Sequence, residues 1–242
     1  MSTPIWQLEI RVHDLKRSVA FYGAVFDWQI TPVADSYAMF DTGKAPIGGI
    51  WEIGDSGMPL GICHYLRSKN CTADAAKALK LGGRVAVEHT VVDGVGAWTD
   101  TLDPWNNEVA FWQPDAAEVP QLVGSGQNAV ALMEWGTADL EAAMAYYEAL
   151  AGWKFTRVVG ATEYALCTQT HPPVALVGGV AGAQRRGIID YVDVIDIVAT
   201  AASVAANGGA VLDKPHDLGD GSLMTIIVDP DGNQLAIVQK VR

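Results

Sequence analysis

DLKRSVAFYGAVFDW, residues 14–28, and DLEAAMAYYEALAGW, residues 139–153, decide how this chain is built. Asp14-Leu15, Phe21-Tyr22 and Trp28 return as Asp139-Leu140, Tyr146-Tyr147 and Trp153, a constant shift of 125 (139 − 14, 146 − 21, 153 − 28). Gly82-Gly83 and Asp103-Pro104 return as Gly208-Gly209 and Asp229-Pro230, a shift of 126 (208 − 82, 229 − 103). Landmarks that keep step along the whole chain mean two copies of one domain, and 242 residues suits two domains of ordinary size. The expected boundaries are 1–114 for the first copy, 115–127 for a linker rich in Pro, Gly and small polar residues, and 128–242 for the second.

Working outward from residue 14, Ile5 to Val12 alternate and predict a strand, and Asp14 predicts the cap of a helix. Leu15, Val19, Tyr22 and Phe26 fall at helical spacing as its buried stripe. Apolar runs at about 28–33, 36–42 and 46–53 complete a β-α-β-β-β unit. A second unit opens near Ile62, with a helix over Thr72 to Leu81 stopped by Gly82-Gly83 and strands near 84–90, 95–102 and 108–113. DPWNN (103–107) and DPDGN (229–233) read as matching hairpin turns, in which Asn106 and Gly232 tolerate a left-handed backbone. The second copy repeats the scheme, giving four β-α-β-β-β units in two pairs.

The formal net charge of −12 and pI near 4.7 argue against nucleic acid and anionic membranes as partners. Cys63, Cys71 and Cys167 are odd in number and form no CxxC pair, so a disulfide framework or thiolate zinc site is not expected and a reducing cytoplasm fits. The first residues hold no basic, apolar leader, and no run of about 18 apolar residues exists to span a bilayer. The expectation is a cytoplasmic protein whose partner is a small organic molecule. The tandem copy could mimic a dimer inside one chain, so a monomer is expected, with a dimer as the alternative.

A strand, then D-L-x-x-(S/A)-x-x-(F/Y)-Y-x-x-x-x-x-W, then a closing D-P-x-(G/N)-N turn resembles the vicinal oxygen chelate superfamily of glyoxalases, bleomycin-resistance proteins and extradiol dioxygenases. Glu9 and Glu134 in the opening strands, with VDGVGAWTDTLDP (92–104) before the last strand, are similar to tandem-domain bacterial members. The resemblance covers nearly the whole chain, twice. It implies an α+β fold of two tandem glyoxalase-like domains, each a pair of βαβββ units forming a curled sheet cup with helices outside. It leaves the activity open, because many chemistries share such a fold.

Metal-dependent members of the superfamily take His, Gln or Glu ligands from the first and last strands of two consecutive units. Carried over position by position, that pattern implies Gln7, Glu52 and His64 as ligands in the first copy. The last position falls on Ala110, which cannot bind a metal; Glu108, two residues earlier, shares its strand face. The second copy has Leu132, Asp190 and Ala236 at the positions of Gln7, His64 and Ala110, and Gly182 near that of Glu52. One divalent metal (Zn, Ni, Mn or Fe) is therefore expected in the first copy and none in the second. The competing reading is that these polar residues line a wet cup and His64 is merely hydrogen-bonded.

Glu9, Glu108 and Glu134 are the candidate proton-moving groups, and Trp51, Trp98, Trp112, Trp135 and Asp190 the candidate ligand contacts. Cys63 adjoins His64, but adjacent strand residues face opposite ways, so no thiol–imidazole pair is expected. Two functions follow. One is an enzyme of the glyoxalase kind, an isomerase or lyase, ranked above a dioxygenase because an iron site of two His and one carboxylate lacks its second His. The other is a metal-free protein that sequesters an apolar small molecule, as resistance-type relatives do.

Overall fold

The computed structural model describes residues 2–42, 46–116, 126–161, 163–179 and 187–241. Residues 117–125 of the expected linker, and Gly182, lie outside the described residues.

The first copy runs β1 (Ile5–Val12), α1 (Leu15–Phe26), β2 (Gln29–Ala34), β3 (Tyr37–Asp41) and β4 (Pro46–Glu52), then β5 (Gly61–Arg67), α2 (Cys71–Lys80), β6 (Arg84–Val92), β7 (Gly96–Leu102) and β8 (Glu108–Pro114). The second runs β9 (Val130–Gly136), α3 (Leu140–Ala151), β10 (Thr156–Arg157), β11 (Tyr164–Cys167) and β12 (Val174–Val177), then β13 (Ile188–Asp193), α4 (Ile197–Ala206), β14 (Ala210–Val211), β15 (His216–Asp217), β16 (Leu223–Val228) and β17 (Gln234–Gln239). The tandem duplication read from the landmarks is thus an architectural fact.

Local chemistry sets the helix ends. Asp14, Asn70, Asp139 and Asp196 are N-caps whose side chains accept from backbone N–H groups of the first turn. At the other end, Asp27 (φ 55°) and Gly152 (φ 71°) close α1 and α3 in the left-handed region. Asn106 (φ 70°) and Gly232 (φ 94°) adopt the left-handed backbone expected of the two DP turns.

Two compact units form, and each draws on both copies. One comprises Met1–Gln7, Cys63–Gln121 and Leu132–Ile188; the other comprises Leu8–Ile62, Leu122–Ala131 and Ile189–Arg242. In the first, strands follow the orders β5-β8-β7-β6 and β10-β11-β12-β9, and Lys77 of α2 donates to the Leu150 carbonyl of α3. In the second the orders are β2-β3-β4-β1 and β13-β17-β16-β14, with β15 beside β16, and Ser203 of α4 donates to the Ala24 carbonyl of α1. These mixed parallel and antiparallel sheets with peripheral helices keep the α+β class but correct the expected curled cup. β2, β6, β10 and β14 each pair with a neighbour on one side only, and no ladder among the described residues closes the sheets. Alternating hydrophobicity reports which face a residue takes; it carries no direct record of how far a sheet bends.

The helix-side cores repeat as well. In one unit Tyr22 stacks with Phe26 and with Trp28, and Trp28 stacks with Phe40, their centroids 4.3 Å apart. In the other, Trp135, Tyr147 and Trp153 form the counterpart cluster. The two repeat tryptophans end alike: Trp28 Nε1 donates to the Asn128 carbonyl and Trp153 Nε1 to the Thr3 carbonyl, each at 2.7 Å.

Candidate metal centre and its aromatic wall

β5, β8 and β7 lie side by side and bring three donor side chains to one face. β5 and β8 are parallel with Tyr65 opposite Ala110, and β7 and β8 are antiparallel with Asp100 opposite Ala110. Period-two alternation then puts Cys63 and Tyr65 on the face of Glu108, Ala110 and Trp112, and of Trp98 and Asp100. Cys63, Asp100 and Glu108 each offer one ligand atom, and these atoms all lie within 4.8 Å of one another. Cys63 and Asp100 are fully buried and Glu108 is half-buried. The Cys63 thiol donates to Asp100 Oδ1 at 3.5 Å.

The set fits a divalent cation. Ligand bonds of 2.0–2.3 Å place tetrahedral neighbours about 3.6 Å apart and opposed ligands at most about 4.6 Å apart, so small side-chain adjustments bring all three atoms onto one ion. Sulfur with two carboxylates suits zinc, iron or manganese in type. A thiolate and two carboxylates carry three negative charges, and a dication offsets most of the cost of ionising them where Cys63 and Asp100 are out of water. Among the described residues this is the group of His, Cys, Asp and Glu side chains able to hold a metal, and it lies in the first copy, as the sequence led us to expect.

Aromatic residues flank it. Tyr65 meets Trp98 and Trp112 edge to face, at 6.2 and 6.4 Å between centroids, and Trp98 stands opposite Trp112 across the β7–β8 ladder. Trp98 and Trp112, two of the expected ligand contacts, therefore sit on the same face as the donors.

The other expected site residues are placed elsewhere. His64 is buried on the opposite face of β5, in register with Val109, its ring 5.9 Å from Trp135. Trp135 is fully buried in the cluster with Tyr147 and Trp153, where it packs. Gln7 is half-buried on β1, in the same compact unit as the triad. Glu52 belongs to the other unit, where its carboxylate accepts the Leu15 N–H at 2.8 Å at the start of α1. Asp190 is buried on β13. Glu9 is buried beside Arg11 (3.5 Å), accepts from the Tyr37 hydroxyl at 3.2 Å, and lies two residues from Arg11, whose guanidinium is 5.9 Å from the centre of Trp51. Glu134, half-buried, accepts from the Tyr164 hydroxyl at 2.9 Å.

Sequence reasoning passed over Cys63 as a donor, since it belongs to no CxxC pair, and it passed over Asp100. Its signal was present in GAWTDTL (96–102), where a carboxylate interrupts a strand that is otherwise apolar or small. A charge at mid-strand that ends up buried needs a partner, and the thiol of Cys63 is one.

Comparison with known proteins agrees with this architecture. Residues 5–43 match the family described as bleomycin resistance protein-like N-terminal, and residues 130–237 match the glyoxalase/bleomycin resistance protein/dioxygenase superfamily. The CFP32 proteins of Mycobacterium bovis and Mycobacterium tuberculosis, which carry a provisional glyoxylase name, are each 24% identical over 98% of this chain and 94% of their own length. Among solved structures, homoprotocatechuate 2,3-dioxygenase from Brevibacterium fuscum in complex with 3,4-dihydroxyphenylacetate has a TM-score of 0.65 at 17% identity, covering 100% of this chain and 82% of that one. The Arthrobacter globiformis enzyme gives 0.65 at 18%, covering 99% and 80%. The Mn(II)-bound glyoxalase from Novosphingobium aromaticivorans gives 0.62 at 15%, covering 100% and 83%. The chain thus has the fold of the vicinal oxygen chelate superfamily, in its tandem duplicated form. The ranking of lyase or isomerase chemistry above dioxygenase chemistry is corrected by the same comparison. Extradiol dioxygenases stand among the most similar structures, and likeness at such identity shows the fold without choosing a reaction.

Proposed function

We propose that the first copy holds a divalent cation on Cys63, Asp100 and Glu108 and presents it to a small, flat, oxygen-bearing organic molecule resting against Tyr65, Trp98 and Trp112. The convergence of three donor atoms within 4.8 Å carries this reading. Names among the relatives support the ligand class: one structure holds Mn(II) and another 3,4-dihydroxyphenylacetate. A bound cation supplies Lewis-acid polarisation of a ligand oxygen. Around it, Trp98 and Trp112 offer apolar faces that displace water from an aromatic ring. Glu108, the half-buried member, is the carboxylate with access to exchange a proton with a ligand hydroxyl. Asp100 fixes the orientation of the Cys63 sulfur.

A second reading rests on the same Cys63–Asp100 contact. A thiol proton shared with the carboxylate compensates both groups without an ion, and the aromatic wall then serves a metal-free receptor. Metal analysis after loading with Mn(II), Fe(II) or Zn(II), combined with tryptophan-fluorescence titration of 3,4-dihydroxyphenylacetate, separates the two. The metal site predicts about one equivalent of metal, lost in Asp100→Asn, and ligand binding that depends on the load. No retained metal in wild-type protein, with unchanged ligand binding, overturns it in favour of the receptor.

A further inference from the structure

The second copy repeats the strand framework of the candidate metal centre without its three donors. Tyr65 opposite Ala110, and Asp100 opposite Ala110, become Tyr191 opposite Ala236 and Ile226 opposite Ala236, a shift of 126 throughout (191 − 65, 226 − 100, 236 − 110). By the same shift Ile189 stands for Cys63, Ile226 for Asp100 and Gln234 for Glu108. Val228 opposite Gln234 repeats Leu102 opposite Glu108, so the equivalence holds at the third donor as well. Ile189 is buried and Ile226 half-buried, in strands that pair as their counterparts do.

The framework therefore needs neither a thiol nor a carboxylate at these places. Isoleucine fills two of them at no polar cost, whereas burying Cys63 beside Asp100 requires each group to be compensated. The aromatic wall differs along with the donors: Met224 and Val238 stand opposite each other where Trp98 stands opposite Trp112. Thiol, carboxylates and indoles are thus present together in one copy and absent together from the matching positions of the other. That joint difference ties the sulfur to ligand chemistry and not to sheet formation.

We propose that Cys63 decides which cation the first copy accepts, its sulfur giving Zn(II) a strong advantage over Mn(II). The choice rests on the cation site proposed above for Cys63, Asp100 and Glu108, and it narrows the occupant of that site. Carboxylate oxygens are hard donors that suit Mg(II), Ca(II) and Mn(II), so Asp100 and Glu108 alone discriminate weakly. A thiolate is a soft donor and favours Zn(II), together with its spectroscopic substitute Co(II). Sulfur supplies one of the three protein donors, so it weighs heavily in the set. Its hydrogen bond to Asp100 Oδ1 at 3.5 Å aims it at the carboxylate with which it would share the ion.

The test strips the full chain with a chelator, offers equimolar Zn(II) and Mn(II), and reads the retained metal by mass spectrometry. Wild-type protein should retain Zn(II), and Cys63→Ser should cut the preference for Zn(II) over Mn(II) on the order of tenfold or more. Co(II)-loaded wild-type protein should show a sulfur-to-cobalt charge-transfer band in the near ultraviolet. The band should be lost in Cys63→Ser and kept in Cys71→Ser, whose thiol lies outside the set. An unchanged preference in Cys63→Ser overturns the proposal while leaving a site on Asp100 and Glu108. So does Co(II)-loaded wild-type protein without the band, a measurement that requires no variant to fold. Retention of no metal at all overturns the cation site itself, and this proposal with it.

Discussion

Tyr147 donates its hydroxyl to Asp103 Oδ2 at 2.5 Å, tying a helix of the second copy to a turn of the first. Tyr22 does the same for Asp229 Oδ2 at 2.8 Å, in the reverse direction. Each aspartate is otherwise consumed by its own turn. Asp103 Oδ1 accepts the Trp105 and Asn107 N–H groups and Oδ2 the Asn107 amide, and Asp229 repeats this with Asp231 and Asn233. The conserved look of DPxxN in both copies therefore has a physical cause, a carboxylate that folds its own turn and receives a buried phenol.

Removing the phenol should cost more than an ordinary hydrogen bond. Tyr147→Phe keeps the ring packing on Trp153 but leaves Asp103, buried, with one donor fewer. A loss of about 1.5–3 kcal/mol is expected, read as a lower urea midpoint at unchanged slope. An unaltered midpoint would show that the tyrosine is there for packing alone.

The same pairs predict alkaline sensitivity. Burial first, then the adjacent carboxylates, push the Tyr22 and Tyr147 phenols well above their ordinary range. A raised folded-state value means stability is fully present below the unfolded tyrosine pKa of about 10 and is lost as pH climbs from there toward the folded value. Thermal midpoints should therefore fall above about pH 10, and less steeply in Tyr147→Phe, which removes one of the two groups. Burial also raises Asp103, against the lowering by its hydrogen bonds from Tyr147 and Asn107. This group thus stabilises the fold relatively more in acid and loses that contribution as pH rises through its folded value.

Glu52 is expected to matter for stability and not for metal. Its carboxylate accepts the Leu15 N–H at 2.8 Å, supplementing the Asp14 cap at the start of α1. Glu52→Ala should lower stability by about 1 kcal/mol and leave any bound metal in stoichiometric amount. Loss of metal in this variant, with the fold intact, would restore it as a ligand.

Gly49 is held open for a neighbour. A Cβ built there would lie 2.0 Å from the Tyr37 hydroxyl, which must pass it to reach Glu9. Gly49→Ala should cost about 1–3 kcal/mol through overpacking. The cost should shrink when Tyr37 is also shortened to Ser, and a thermodynamic cycle on the two changes measures that coupling.

Much of the fold could be read before any coordinates. Asp14 and Asp139 cap the helices they announce, and the observed β1 matches the alternating run from Ile5 to Val12. Residues such as these act on neighbours a few positions away, so local rules suffice. The candidate metal set was harder because it depends on pairing between β5 and β8, more than forty residues apart in the chain. A register in which His64 opposes Val109 turns Cys63 toward Glu108, and a shift of one residue would have turned the imidazole there instead. Glu52 shows a different limit. Strand alternation says which way a carboxylate leaves the backbone, and only the fold reveals that a helix terminus waits at its end.

Because each compact unit is assembled from a piece of either copy, neither half of the gene encodes a finished body. A ribosome that has released only the first copy has made one part of two different objects. Completing either unit therefore requires segments that lie on both sides of the middle of the chain.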